Sequence, residues 1–281
     1  MDGPFIGAEA MAAGSLTRHR LRTNYQALFP GVYLSTTQTP TLAARTVAAW
    51  LWSKRQGVIA GAAAAALHGA RWIDDDVPIE IICPNTHPPR GLLTRNDSLR
   101  DGDVVWRRAM PVTSLLRTGF DLGRRGPQVK AVARLDALCR ATGLHAEAIG
   151  ELADQRPRAR GLCQLRRVLD LVDAGAESPK ETWLRLLLVN AGLPRPATQI
   201  TVVDRGWTAR LDMGWEDLKV AVEYDGDHHR VDRRQYLKDI RRLERLHQLG
   251  WIVIRVVSED HPDDVLRRVL AALATRARKP H

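Results

Sequence analysis

The sequence predicts an α/β protein built in two parts. Three observations carry that reading. The 281 residues exceed what one ordinary core needs. Helical periodicities alternate with short β-branched runs along the chain. The pattern then changes character at the stretch "DAGAESPKE". Apolar residues make up 44% and charged residues 26%, the balance of a chain that buries a core in water.

The elements follow in order. "SLTRHRLRTNYQALFPGVYL" reads as a short helix or turn leading to a strand at "GVYL". "TLAARTVAAWLWSKRQ" has the three-to-four apolar spacing of a helix. "GVIAGAAAAALHGARW" reads as a second helix, with enough alanine for close packing on a neighbour, and His68 within it reads as a packed histidine. "VPIEIICPN" is a strand ended by Pro84, and "DVVWRRA" is another. "PVTSLLRTGFDLGRR" offers Thr113 as the N-cap of a helix carrying Leu115, Leu116 and Phe120. Helices continue through "QVKAVARLDALCRATG", "HAEAIGELADQ" and "GLCQLRRVLDLVDAG". No catalytic cluster is visible in this half.

Beyond the change of pattern, Ser178, Pro179 and Glu181 have the spacing of a helix cap, a first-turn proline and a capping-box acid. That helix runs to about Asn190. "TQITVVD", "TARLDMGW" and "KVAVEYDG" are three strands, and a long helix from Asp232 to Leu249 stops at Gly250. The strand "WIVIRVV" and a helix from Pro262 to about Arg276 complete the order helix, three strands, helix, strand, helix. The expected boundaries are a short segment over 1–37, an α/β domain over 38–174 and a second domain over 175–281.

Charge narrows the partners. A formal net charge of +10 favours polyanions such as nucleic acid. Cys83, Cys139 and Cys163 are too few and too widely spaced for a zinc pattern or a disulfide framework, which points to a reducing, cytoplasmic setting. The first residues lack a signal-peptide pattern, and "VIAGAAAAALHGA" is too short and too weakly apolar to span a bilayer.

The chemistry concentrates in "LKVAVEYDGDHHRVDRR" (218–234) and the strand before it. Strand alternation puts Glu223 and Asp225 on one face. Asp212 interrupts the apolar alternation of "TARLDMGW". If these strands form a hairpin, Asp212 and Glu223 lie close enough to repel, and a divalent cation removes the conflict. Hard oxygen ligands suit Mg²⁺ or Mn²⁺, with His228 or His229 as proton acceptor for a water attacking phosphorus. The bland reading is a hairpin whose acids and histidines face water. The following helix carries Arg233, Arg234, Lys238, Arg241, Arg242 and Arg245, either a solvated face or a hold on a phosphate backbone. Glu181 is a capping acid or a further acid of the site, reaching the metal through water.

"SPKETWLRLLLVNAGLPRPATQ", "ARLDMGW", "VAVEYDGDHH", "DRRQYLKDIRRLERLHQLGW" and "IVIRVV" together resemble the domain of unknown function related to very-short-patch-repair endonucleases, within the PD-(D/E)XK nuclease superfamily. The resemblance implies a restriction-endonuclease-like mixed sheet flanked by helices. It implies Asp212 and Glu223 as metal ligands, Glu181 as the acid of the first helix and the Tyr224 carbonyl as a further ligand. It also places the polar Gln199 at the start of the first strand. Asp225 stands where the superfamily signature has lysine, and His229 fits the histidine that the very-short-patch-repair relatives use instead.

"LFPGVYL", "GVIAGAAAAALHGA", "PIEIICP" and "PVTSLLRTGFDLGRR" are similar to the AbiEi-like antitoxin family, whose members begin with a DNA-binding winged helix. The segment before "TLAARTV" leaves room only for a winged-helix remnant. Two functions therefore stand side by side. One is a metal-dependent DNA endonuclease or DNA-processing enzyme. The other is a non-catalytic DNA-binding regulator on a degenerate nuclease fold, with a cognate toxin as partner. An RNA-acting protein fits the charge as well.

Overall fold

The computed structural model describes residues 3–84, 87–226 and 233–277, with the backbone alone over 233–236. The chain divides into two compact units, Met1–Val172 and Asp173–His281. The class is mixed α/β, with three sheets among the described residues.

The first unit opens with β1 (Phe5–Ile6), α1 (Gly7–Ala12), α2 (Arg18–Asn24), β2 (Tyr25–Phe29) and β3 (Val32–Ser35). The strands form a small antiparallel sheet in the order β1-β3-β2. Only the last of these strands is expected from the sequence. Its partner, "YQALF", lacks alternation and takes its shape from the turn at Pro30 and Gly31, where φ is +80°.

After α3 (Leu42–Trp52) come β4 (Val58–Ala60), α4 (Gly61–Leu67), β5 (Ile79–Ile82), β6 (Leu92–Arg95), β7 (Val104–Arg107) and β8 (Met110–Thr113). They make a five-stranded sheet in the order β6-β5-β4-β8-β7. Here "GVIAGAAAAALHGARW" departs from expectation. Val58 and Ile59 pair with Ile82 and Ile81 as a strand, and Gly61, in the left-handed region at φ +59°, turns the chain into the helix. Thr113 likewise ends β8, and the cap of α5 (Leu115–Gly123) is Ser114, which accepts from the Arg117 N–H. His68 packs as expected, with Nε2 2.8 Å from the Thr113 carbonyl oxygen. Helices α6 (Gln128–Thr142), α7 (Ala146–Asp154) and α8 (Leu162–Leu169) complete the unit.

The second unit runs α9 (Pro179–Asn190), β9 (Ala197–Asp204), β10 (Trp207–Trp215), β11 (Val220–Tyr224), α10 (Arg233–Gln248), β12 (Ile252–Val256) and α11 (Pro262–Ala277). Its sheet has the order β12-β11-β10-β9, parallel between β11 and β12 and antiparallel elsewhere. One apolar cluster joins Leu184 and Leu188 of α9 and Val265 and Val269 of α11 to Met213, Val222 and Val256 of the sheet. Another joins Leu246 of α10 to Ile200, Leu211 and Ala221. The parallel pair accounts for α10: a parallel neighbour needs a crossover, and the amphipathic helix supplies it while covering a sheet face. No helix among the described residues is long and apolar enough to cross a membrane.

Candidate functional site

Register brings the acids together. Met213 pairs with Val222, and Leu211 with Ile200 and Met213 with Thr198. One step along the same count puts Asp212 opposite Glu223 on one side and Gln199 on the other. Glu223 in turn pairs with Arg255 of β12. A single row thus crosses four strands, reading Gln199, Asp212, Glu223, Arg255.

That row is irregular at its β9 end. Gln199 has φ +54°, in the left-handed region that a residue with a Cβ rarely adopts within a strand. Leu211 belongs to the cluster of α10 and Met213 to that of α9 and α11, so alternation slips across Asp212. The slip leaves the Asp212 side chain free to accept the Tyr224 N–H at 2.9 Å in place of a ladder bond.

Glu181 reaches this row from α9. Ser178 caps the helix by accepting the Glu181 N–H at 3.2 Å, and the Glu181 carboxylate accepts from Ser178 Oγ at 2.9 Å and from the Glu177 N–H at 2.8 Å. It also accepts from Gln199 Nε2 at 3.3 Å. The capping reading of Glu181 is met by these bonds, and its carboxylate also lies within electrostatic reach of Asp212.

The electrostatics are unbalanced. Burial pushes the Asp212 carboxyl up to about 7; Glu181 and Glu223 push the same way, and the Tyr224 N–H and Arg242 only partly oppose them. Glu223 is 8% exposed. Both its oxygens are held by the Arg242 guanidinium, which also donates to the Arg210 carbonyl at 2.9 Å. Gln199 Oε1 is buried with no hydrogen-bond partner among the described residues. An acceptor of that kind ordinarily finds a donor or a cation. An Asp212 carboxyl held against ionisation, beside Glu223 and an unsatisfied amide oxygen, gives a set of oxygen groups of the kind a hard divalent ion takes. Among the described residues, no three groups of ligand type are already gathered as they would be around a bound ion.

The remaining expected residues fall in three groups. Asp225 lies at the end of β11, ion-paired with Arg255, and its N–H is donated to the Val256 carbonyl at 2.8 Å. Tyr224 packs edge-on to Trp183, with Lys180 Nζ 5.7 Å from its ring centre. On α10, Lys238 and Arg241 are exposed, whereas Arg242 is committed to Glu223 and Arg245 to Asp204 at 2.8 Å and to the Trp207 ring at 4.8 Å. Arg233 and Arg234 open the same helix. His228 and His229 lie outside the described residues. Sequence reasoning places Gln199 near the strand start but misses its orphaned oxygen, and it does not assign Arg242 to Glu223.

No family model and no solved structure matches the chain. Over 253 residues it is 30% identical to two proteins of Mycobacterium tuberculosis, uncharacterized protein Rv2248 of strain H37Rv and uncharacterized protein MT2308 of strain CDC 1551, covering 88% of this chain and 88% of each relative. The chain belongs to the family of these mycobacterial proteins.

Proposed function

We propose that the second unit is a nuclease domain of the PD-(D/E)XK type that hydrolyses phosphodiester bonds in DNA with a divalent cation, Mg²⁺ or Mn²⁺. The observation that carries this is the register of Asp212 opposite Glu223 in a mixed sheet, with Glu181 of α9 in electrostatic reach of Asp212 and the unsatisfied Gln199 oxygen in the same row. Asp212 and Glu223 would hold the cation, with the Tyr224 carbonyl as a further ligand and Glu181 acting through water. When bound, the cation supplies Lewis-acid activation of water and neutralises charge at the phosphate.

The chain's own residues do the rest. Gln199 fixes the Glu181 carboxylate by its donated N–H. Arg242 compensates the Glu223 charge in the absence of a cation. Arg255 holds Asp225, so the position of the signature lysine presents an ion pair in place of a free ammonium. His229, with His228 as the other candidate, takes a proton from the attacking water. Lys238 and Arg241 hold the DNA backbone from the exposed side of α10.

Plasmid cleavage in Mn²⁺ is the test, with the wild type against Asp212→Ala. The proposal expects cutting that the substitution abolishes while DNA affinity persists; equal cutting by both proteins would remove Asp212 from the site.

A second reading, a non-catalytic DNA-binding regulator of the antitoxin type, also has support. The two-point hold of Arg242 on Glu223 supplies internally the positive charge that a cation would bring. In the first unit, α2 exposes Arg18, Arg20 and Arg22 just ahead of the hairpin of β2 and β3. This reading expects metal-independent, sequence-selective binding to the protein's own promoter, and a gel-shift series with unrelated duplexes of equal length decides it.

A further inference from the structure

The first unit holds an arginine-lined cleft that plays no part in the site described above. Its volume is about 640 Å³, within the range of small-ligand sites. The segment "RPRAR" (156–160), between α7 and α8, forms one wall, and Arg100, Arg117 and Arg124 contribute from other elements. Asp97 is the only acid among the lining residues.

A buried network fixes the floor. Arg117, 2% exposed, pairs with Asp103 and Asp121 at 2.8 Å each. Arg124 pairs with Asp121 at 2.7 Å and with Asp97 at 3.3 Å, while Arg125 takes Asp97 as well. Arg156 pairs with Asp103 at 2.5 Å. Phe120 lies beneath two of these groups, its ring centre 5.1 Å from the Arg124 guanidinium and 5.7 Å from that of Arg156. Burial works against ionisation of Asp103, but Arg156 and its other partners hold that carboxyl below the usual range. Gly161 closes the segment against this floor: at φ +86°, a Cβ there would sit 2.4 Å from the Arg124 carbonyl oxygen. The wall is therefore held in place before any ligand arrives.

The charges do not close. Asp97, Asp103, Asp121 and Glu80 are shared among Arg95, Arg117, Arg124, Arg125 and Arg156, four carboxylates to five guanidinium groups. No carboxylate among the described residues pairs with the guanidinium of Arg100, Arg158 or Arg160, although that of Arg100 donates to the Gln155 carbonyl at 3.1 Å. Arg156 Nε is buried and without a hydrogen-bond partner among those residues. Guanidinium groups crowded at a concave surface, with donors left over, call for an anion with several acceptor oxygens.

We infer that this cleft binds a small phosphorylated ligand carrying more than one phosphate charge, with Arg158 and Arg160 as the exposed jaws and Arg156 as the inner contact. A concavity of this volume takes such a ligand better than a duplex backbone, which needs a long positive stripe.

The test is calorimetric titration of inorganic pyrophosphate into the full-length protein at low ionic strength. Arg158→Ala/Arg160→Ala is compared with Arg71→Ala/Lys130→Ala, two basic residues outside both proposed sites. Both pairs are solvent-exposed, so circular dichroism should show both variants folded. The inference expects binding that weakens about tenfold or more in the first variant and stays unchanged in the second. Equal affinity in the first variant and wild type, or no binding by wild type, would overturn it. So would a short duplex that binds through Arg158 and Arg160 where pyrophosphate does not, since the surface would then be one for nucleic acid.

Discussion

Replacing Asp212 by asparagine tests the electrostatics of the site without cutting any DNA. The amide keeps an oxygen for the Tyr224 N–H, so the local geometry survives while the charge goes. In the wild type the fold raises this carboxyl from its ordinary 3.8 to about 7, chiefly by burial and then by Glu181. A raised acid favours the protonated form. Its contribution to stability is therefore fully present below pH 3.8 and is lost as pH rises through about 7. Each pH unit in that window costs about 1.4 kcal/mol, so the whole span is worth about 4 kcal/mol. The amide of Asp212→Asn does not titrate. In urea denaturation with chelator present, the variant should gain on the wild type as pH rises, by about 2–3 kcal/mol between about pH 5 and pH 8. Mn²⁺ should then narrow the gap at pH 8 by stabilising only the wild type. A gap that stays flat with pH, or shrinks, would refute the claim that Asp212 is held against its ionisation.

Two further substitutions probe the ion pairs. Arg242→Ala strips Glu223 of its guanidinium beside Asp212 and should cost about 2 kcal/mol in apo stability, recovered when Mn²⁺ is added; a loss that metal does not restore would mean that Arg242 is only structural. Arg117→Ala takes one guanidinium from both Asp103 and Asp121, leaving them buried with Arg156 and Arg124 as remaining partners, and should cost about 3 kcal/mol in thermal or urea denaturation. A loss below about 1 kcal/mol would contradict the network described for the first unit.

What the sequence reveals here depends on whether the signal is local. The cap at Ser178, Pro179 and Glu181 is complete within four residues, and α9 starts at Pro179 with the expected side-chain bonds. β9 and β10 are legible because alternation runs along them and Asp212 breaks it visibly, and β11 because its short apolar run is buried on both faces. β6 and β8 are four residues each, too short for a period to emerge, and β4 hides at the head of an alanine run. The hold of Arg242 on Glu223 spans 19 residues and depends on the crossover angle of α10, which no spacing encodes. The charge run on α10 reads as one basic face, yet the fold turns Arg242 and Arg245 toward internal acids and leaves Lys238 and Arg241 in water. The turn at Gln199 is equally hidden, since glutamine gives no hint of a left-handed backbone. The segment "RPRAR" looks like an ordinary solvated loop until the buried acids behind it are seen.

The most direct test of the central claim is titration of Mn²⁺ into the full-length protein by calorimetry, with Asp212→Ala/Glu223→Ala alongside. Binding by the wild type should strengthen as pH rises toward about 7, where Asp212 gives up its proton, and should disappear in the double variant. Binding that is unchanged in the double variant, or absent from the wild type even with a non-cleavable DNA duplex present, would contradict it.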